Sequence, residues 1–343
     1  MRLSSKLAFA AISALALTGC GETASESVHV VGSSTVFPFA KRVSELVGQD
    51  NPGLAAPLIE STGSGSGFNL FCNGVGSEHP DVANASRRIK ASELQTCFDN
   101  GVTDVVEIQV GLDGIAFASA QGGIMMNLTP KIVYEALAAS PYGGEQTNET
   151  WADVDPSLPD EPILVYGPPA TSGTRDALKE LVLEAGCTTD PRMESLKDSD
   201  EDKFTQVCTE VRSDGKYVDQ GEQDNLIVQK ISNSPRSIGV FGYSYLEENA
   251  GRVQGLPMNG SDPTYENIST FAYPGARPLY MYVKKQHLDA IPGLREYVAH
   301  WAKVWDKGGA LTKLGLVASP DDVRAANLQK TTDFTTLTMA ELK

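Results

Sequence analysis

Residues 31–38 read Val-Gly-Ser-Ser-Thr-Val-Phe-Pro and contain the end of a strand, a turn and the start of a helix. Residues 28–31, Val-His-Val-Val, predict the strand, because short and mainly apolar runs that stop at glycine and serine are typical of buried strands. After the turn, the apolar residues at positions 39, 43, 46 and 47 keep to one helical face. A strand that passes through a serine- and threonine-rich turn into a helix predicts an α/β protein.

Three further junctions of similar composition follow: TGSGSG at 62–67, ASR at 85–87 and TSGTR at 171–175. Three of the four junctions lead into a predicted helix, so backbone N–H groups and the positive ends of helix dipoles point to one place. Glycine lets the backbone approach a ligand closely, and arginine binds oxyanions through paired hydrogen bonds. In open α/β sheets such crevices lie beyond the carboxyl ends of the strands. The four junctions together indicate a site for a tetrahedral oxyanion.

The rest of the chain also alternates between predicted strands and helices. Thr129 followed by Pro130 predicts a helix start, since threonine is a good cap and proline suits the first helical position. Residues 111–114, Gly-Leu-Asp-Gly, are expected to form a turn that separates two strands. Helices are predicted at residues 68–75, 131–139, 173–185, 224–232 and 294–305. The strongly charged residues 195–203 are expected to form a solvated surface excursion.

The N-terminus has the pattern of a targeting signal. Arg2 and Lys6 precede an apolar stretch at 7–17 that is too short to span a bilayer as a helix. The following Leu-Thr-Gly-Cys resembles the lipobox of bacterial lipoproteins, which implies cleavage after residue 19 and lipidation of Cys20. We therefore expect residues 1–19 to be a signal peptide and residues 20–27 a tether. The alternative is an ordinary secretory signal with a chance cysteine.

The length and charge of the chain limit its fold and partners. Residues 20–343 are too many for one ordinary core and suit two domains. The formal net charge is −16 and becomes more negative once the basic signal is removed. An acidic surface argues against nucleic acid or anionic lipid as a partner, although a few arginines and backbone dipoles can still make a local pocket attractive to anions.

The five cysteines support an oxidising compartment. Without Cys20, four remain, and three pairings are formally open. We expect the two local pairs, Cys72–Cys97 and Cys187–Cys208, because each pair flanks one loop-rich segment. Metal binding is the rival interpretation, but the sequence has no CxxC motif and its four histidines are scattered. Disulfides predict an extracytoplasmic location.

With these motifs in their order and spacing, the chain resembles the phosphate-specific periplasmic binding proteins over nearly its whole length after the signal. The resemblance rests on the segments VGSSTVFP (31–38), ESTGSGSGF (60–68), NASRRIK (84–90), SGTRD (172–176) and IGVFGYS (238–244). It implies a two-lobed α/β fold, the type II or Venus-flytrap periplasmic-binding-protein fold, with two hinge crossovers. We expect residues 28–118 and 276–343 to form the first lobe and residues 119–275 the second.

The resemblance also implies a function and a ligand site. The expected function is capture of inorganic phosphate and its delivery to the membrane permease of an ABC importer, by a monomer without cofactor or metal. The expected ligand-binding positions are Ser34, Thr35, the backbone N–H of Val36, Ser64, Ser172, Gly173 and Thr174.

Two positions depart from the family pattern. Arg87 stands where well-studied members have an aspartate that accepts the phosphate proton, and Pro168 stands where they have an arginine. We therefore predict that Arg87 and Arg175 bind the anion, although Arg87 is also open to interpretation as a surface residue. Asp113 or Asp176 is either the proton acceptor or a partner of an arginine. Without the usual aspartate, sulfate or molybdate remains an alternative ligand.

An enzyme is the third alternative, because residues 63–67 contain the letters of a G-x-S-x-G elbow with Ser66 as the nucleophile. A hydrolase would need a nearby base, and His79, His287 and His300 lie in no suggestive context. Two glycine–serine repeats are better explained as an anion loop. We therefore expect a binding protein rather than a phosphoester hydrolase.

Overall fold

The computed structural model describes residues 27–221 and 224–342. The expected signal peptide, the lipidated Cys20 and almost all of the tether lie outside the described residues. The strands are β1 (His29–Gly32), β2 (Leu58–Ser61), β3 (Val82–Ala85), β4 (Val105–Ala120), β5 (Val165–Gly167), β6 (Tyr217–Asp219), β7 (Ile238–Gly242), β8 (Val253–Gly255) and β9 (Ala276–Lys284).

The helices alternate with these strands, as the sequence predicts. They are α1 (Phe37–Asp50), α2 (Ser64–Phe71), α3 (Ala91–Asp99), α4 (Pro130–Leu137), α5 (Trp151–Val154), α6 (Gly173–Ala177), α7 (Glu184–Cys187), α8 (Pro191–Ser199), α9 (Glu201–Thr209), α10 (Asp224–Ser232), α11 (Tyr243–Glu248), α12 (Tyr265–Ser269), α13 (Leu294–Val304) and α14 (Asp321–Asp333). A π-helical segment, Leu178–Leu183, joins α6 to α7. Within the described ranges, no helix is both long and apolar enough to cross a membrane.

One sheet runs through the molecule in the order β2-β1-β3-β9-β4-β7-β5-β6, and β8 pairs with β4. Strands β1, β2 and β3 are parallel, as are β5, β6 and β7. The strand β9 is antiparallel to both β3 and β4. The first part of β4 pairs with β9, whereas its last part pairs with β7 and β8. Strands β4 and β9 therefore join the two parts of the sheet.

The buried side chains form separate clusters in the two parts of the sheet. One core gathers residues between Leu112 and Tyr273, together with Val317. Two clusters on the other side gather residues from both ends of the chain. We call the part with these two clusters the first lobe and the part with the single core the second lobe. The two-lobed α/β fold with two crossing strands is confirmed, whereas the expected limits at residues 118 and 276 stay a prediction.

Strand β4 differs from the expectation of two strands interrupted at residues 111–114. It is continuous, with a register shift between Gln109 and Gly111. The glycine-containing segment does not turn, because β9 pairs along its whole length. Gly111 packs closely against Leu316, because a Cβ there would lie 2.5 Å from that side chain and would displace it. Residues 111–114 are therefore extended because they pair with β9, although their composition is typical of a turn.

Other local predictions met different outcomes. Thr129 caps α4 by accepting a hydrogen bond from the N–H of Ile132 at 3.1 Å, as predicted. Helix α2 begins at Ser64, four residues earlier than expected. The charged residues 195–203 lie at the solvated surface, as predicted, and form parts of α8 and α9. Both expected disulfides are present: Cys72–Cys97 joins α2 to α3, and Cys187–Cys208 links α7 to α9.

Candidate functional site

The first junction forms the turn between β1 and α1. Gly32 has a φ of 127°, and a Cβ there would lie 2.0 Å from the carbonyl oxygen of Asn84, so only glycine fits. The N–H of Ser33 donates to the same carbonyl at 2.9 Å. The turn that carries Ser34 and Thr35 is therefore held against the end of β3.

The second and third junctions contact each other directly. Ser64 is the first residue of α2, and its hydroxyl oxygen accepts a hydrogen bond from the N–H of Ser86 at 3.1 Å. The two serine hydroxyls lie 3.2 Å apart. A Cβ on Gly67 would lie 2.6 Å from the Cα of Gly32, so α2 also packs closely on the first junction. The three junctions of the first lobe thus form one cluster of neutral hydrogen-bonding groups.

The fourth junction brings the second lobe against this cluster. The hydroxyl of Ser172 caps α6 by accepting from the N–H of Thr174 at 3.2 Å. A Cβ on Gly173 would lie 2.8 Å from the Cα of Thr35, so the two backbones are in close contact. Ser34 donates its hydroxyl to the carboxylate of Asp176 at 2.6 Å. The structure therefore brings Ser34 and Thr35 of the first lobe together with the Ser172–Asp176 segment of the second.

The side chain of Arg175, the last residue of the fourth junction, holds the backbone before that junction in place. Its side chain is buried, and its guanidinium stacks on the ring of Tyr217 at 4.3 Å. One of its terminal nitrogens donates to the carbonyl of Pro168 at 3.2 Å, and the Tyr217 hydroxyl donates to the same carbonyl at 2.7 Å. Burial raises the pKa of Tyr217 to about 12. The arginine thus fixes the backbone at the position where the family pattern has an arginine side chain.

The buried Nε of Arg175 has no hydrogen-bond partner within the described ranges. A buried donor without a partner is costly, and a bound ligand or water is the usual explanation for one. This atom makes Arg175 a candidate for direct or water-mediated contact with an anion.

Arg87 lies in the cleft, but its guanidinium is engaged by another side chain. It forms two hydrogen bonds to the carboxylate of Glu93, at 2.9 and 2.7 Å, and stacks over the ring of Phe68. Its hydrogen bond with Glu93 raises the pKa of Arg87. The neighbouring Arg88 pairs with the buried Glu107. To bind an anion, the Arg87 guanidinium would have to release Glu93 or share its donors between Glu93 and the anion.

Arg277 is a site residue that the sequence reasoning missed. Its buried guanidinium donates to the hydroxyl of Thr35 at 2.9 Å and to Asp113 at 3.1 Å, and it also pairs with Glu180. Burial raises the pKa of the Asp113 carboxyl, while Arg277 opposes that effect. Asp113 and Arg277 face each other across β4 and β9. Asp113 is thus placed as an arginine partner, one of its two predicted roles.

A cavity of about 620 Å³ opens beside this cluster. Its wall on the first lobe contains serine, glycine and basic side chains, and its wall on the second lobe is mainly acidic. The lining residues are Ser64, Gly65, Ser86, Arg87, Arg88 and Lys90 on the first side, Glu180, Leu181, Glu184, Lys197 and Glu201 on the second, and Arg277, Pro278 and Tyr280 from β9.

The hydrolase alternative finds little support in the geometry. Ser66 is exposed on α2, and within the described residues no histidine is hydrogen-bonded to it. His287 is buried between Asp81 at 2.5 Å and the carbonyl of Val75 at 2.8 Å, so both of its ring nitrogens are engaged. In residues 27–221 and 224–342, no group of three or more potential ligands is placed to hold a metal ion.

Comparison with known proteins gives a consistent family assignment. The model of the PBP superfamily domain matches residues 20–303. The protein SphX of Synechocystis sp. is 30% identical, over 96% of this chain and 89% of its own length. The phosphate-binding protein PstS of Staphylococcus haemolyticus is 28% identical, over 84% of this chain and 80% of its own length.

Solved structures agree with this assignment. A Planctomyces limnophilus protein, described as a "possible phosphate binding protein", is 26% identical with a TM-score of 0.70, and the match covers 91% of this chain and 99% of that one. An ABC-type phosphate transport receptor from Vibrio cholerae, at 19% identity and a TM-score of 0.56 over 85% of this chain and 99% of that one, shares the fold. The chain therefore belongs to the PBP superfamily.

Proposed function

We propose that this protein captures inorganic phosphate in the cleft between its lobes and delivers it to an ABC importer. The observation that carries the proposal is the contact between Thr35 and Gly173, which brings two serine- and threonine-rich helix starts from opposite lobes together. Neutral donors and helix N-termini from two sides suit a tetrahedral oxyanion. The relatives named phosphate-binding protein PstS support phosphate as that oxyanion.

The proposed ligand set divides between the lobes. Ser34, Thr35, the N–H of Val36, and Ser64 would bind from the first lobe, and Ser172, Gly173 and Thr174 from the second. Arg175 would add positive charge from beneath the second loop. Arg87 would donate hydrogen bonds to the anion at the rim of the cleft once its guanidinium has released the carboxylate of Glu93.

Asp176 favours phosphate over sulfate as the ligand. Near neutral pH phosphate keeps a proton and needs an acceptor, whereas sulfate has no proton to donate. The Asp176 carboxylate lies 2.6 Å from the Ser34 hydroxyl, at the meeting point of the lobes, and can accept a hydrogen bond there. It would take the role that an aspartate at position 87 has in well-studied members of the family.

The mechanism follows from ligand contacts on both lobes. An anion that binds both loops stabilises the closed arrangement, and the crossing strands β4 and β9 would act as the hinge. We propose that the closed monomer then docks on the membrane permease. Lipidation of Cys20 would keep the protein at the membrane outside the cytoplasm, where the two disulfides can form.

Titration calorimetry of the purified, anion-free protein with phosphate, arsenate, sulfate and molybdate tests the function. We expect tight binding of phosphate and weak or no binding of sulfate. Tight sulfate binding without heat from phosphate would overturn the assignment. Metabolic labelling with a radioactive fatty acid, lost in Cys20→Ser, tests the anchor; a labelled Cys20→Ser protein would exclude it.

A further inference from the structure

Arg277 occupies a position where three parts of the protein meet. Its guanidinium contacts Thr35 on the first lobe, Asp113 on the crossing strand β4 and Glu180 on the second lobe. The Arg277 side chain is only 6% exposed, whereas that of Glu180 is 49% exposed. Asp113 lies opposite Arg277 in the strand register, so this pair is fixed by the sheet. The contact with Glu180 joins side chains only and is not fixed by strand pairing.

Glu180 and Asp176 contact the first lobe from the same helical run. The two carboxylates are four residues apart, and they accept hydrogen bonds from Arg277 and Ser34 respectively. The two contacts hold the start of that run against the turn before α1. Asp176 also lies 3.9 Å from Lys179, whereas the positive partner of Glu180 is Arg277.

The hydroxyl of Thr35 lies 2.9 Å from Arg277, so the guanidinium is within one hydrogen bond of the proposed ligand set. Carboxylates and phosphates use the same fork of guanidinium donors. With Nε fixed by Asp113, an oxyanion bound at Thr35 can reach Arg277 only through the terminal nitrogens that now contact Thr35 and Glu180.

We propose that the Glu180 carboxylate is an internal competitor of the anion for Arg277, and that Arg277 is a further ligand-binding residue. The inference rests on the proposed function, since it takes the ligand to be an oxyanion bound at Thr35. A carboxylate that must release the guanidinium before the anion can bind it lowers the observed affinity, because the free energy of the lost ion pair is subtracted from the free energy of binding. Glu180 thus lowers the affinity of the cleft for phosphate.

The experiment compares the dissociation constants for inorganic phosphate of the wild-type protein, Glu180→Gln and Glu184→Gln. We expect Glu180→Gln to bind phosphate about threefold to tenfold more tightly, a range set by the half-exposed position of the carboxylate. Glu184→Gln is the matched control, because Glu184 lines the same cavity but pairs with Lys197 at 3.1 Å. Equal or weaker binding by Glu180→Gln would overturn the proposal, as would an equal gain in Glu184→Gln.

A second comparison tests whether Glu180 acts through Arg277. Arg277→Gln should bind phosphate at least tenfold more weakly than wild type. The double variant Arg277→Gln with Glu180→Gln should bind phosphate no more tightly than Arg277→Gln alone. If the gain from Glu180→Gln persists without Arg277, competition for this guanidinium is excluded. A wild-type protein that fails to bind phosphate would refute the proposed function, whereas failure of the variants alone would refute only this inference.

Discussion

Replacement of Gly173 by alanine would separate the two loops that meet in the cleft. The added Cβ would lie 2.8 Å from the Cα and 3.2 Å from the backbone N of Thr35. Ordinary carbon–carbon contacts are about 3.5–4.0 Å, so the lobes must move apart by about 0.7–1.2 Å. The neighbouring atoms are mainly backbone, which cannot rotate away as a flexible side chain can.

The cost should affect ligand binding more than folding. Gly173 does not have a positive φ and lies at the start of α6, so alanine suits its local conformation. Overpacking of this kind costs about 1–3 kcal/mol. Because the clash arises only when the lobes are closed, this cost should appear as phosphate affinity weakened by about fivefold to about a hundredfold.

Titration calorimetry with phosphate measures the loss, and a melting curve measures stability. Gly251→Ala is a matched control, since a Cβ at Gly251 would meet nothing within 4 Å and its φ is not positive. The backbone N–H of residue 173 is kept in the variant, so any loss reflects the contact rather than a missing donor. An unchanged dissociation constant in Gly173→Ala would refute the closed contact between these loops.

Three other perturbations have definite expected outcomes. Arg175→Ala should weaken phosphate binding by more than about tenfold, because it removes a charge-assisted donor beneath the loop; calorimetry showing an unchanged constant would remove Arg175 from the site. Cys72→Ala with Cys97→Ala should lower the free energy of unfolding by about 2–4 kcal/mol, and an unchanged urea midpoint would contradict this. Burial lowers the pKa of Lys284 from 10.5 to about 8, so the unfolded state binds more protons between these values. The contribution of Lys284 to stability should therefore rise from pH 8 to 10.5. We expect urea unfolding to show that the difference in the free energy of unfolding between wild type and Lys284→Met changes between pH 8 and 10.5. A difference that stays constant over this range would contradict a lowered pKa of Lys284.

The sequence predicted what depends on local chemistry. The Gly-Ser-Ser-Thr turn, the cap at Thr129 and the strand-to-helix alternation follow from residue type and periodicity. The three junctions of the first lobe contact one another because their strands are neighbours in a parallel arrangement. The fourth junction was expected to join the other three because its composition also suits an anion site, and the family resemblance placed it on the opposite lobe.

What was not predicted depends on pairing between distant segments. Arg277 was missed because its contact with Asp113 requires the register of β4 and β9, which the sequence does not reveal. The engagement of Arg87 by Glu93 was missed although only six residues separate them, because the route of the chain between β3 and α3 brings them together. The charged composition of residues 195–203 indicated a solvated surface but did not reveal that they form parts of α8 and α9.

The position of β9 has a consequence for the order in which the protein can fold during export. The strand pairs with β3 on one side and β4 on the other, yet it follows the entire second lobe in the chain. A chain that emerges from its N-terminus must therefore leave the edges of β3 and β4 unpaired until residues 276–284 arrive. The second lobe, with β5 to β8 contiguous in sequence, can form first. Exposed strand edges invite aggregation, so the chain is most open to aggregation until residues 276–284 have followed and paired with both edges.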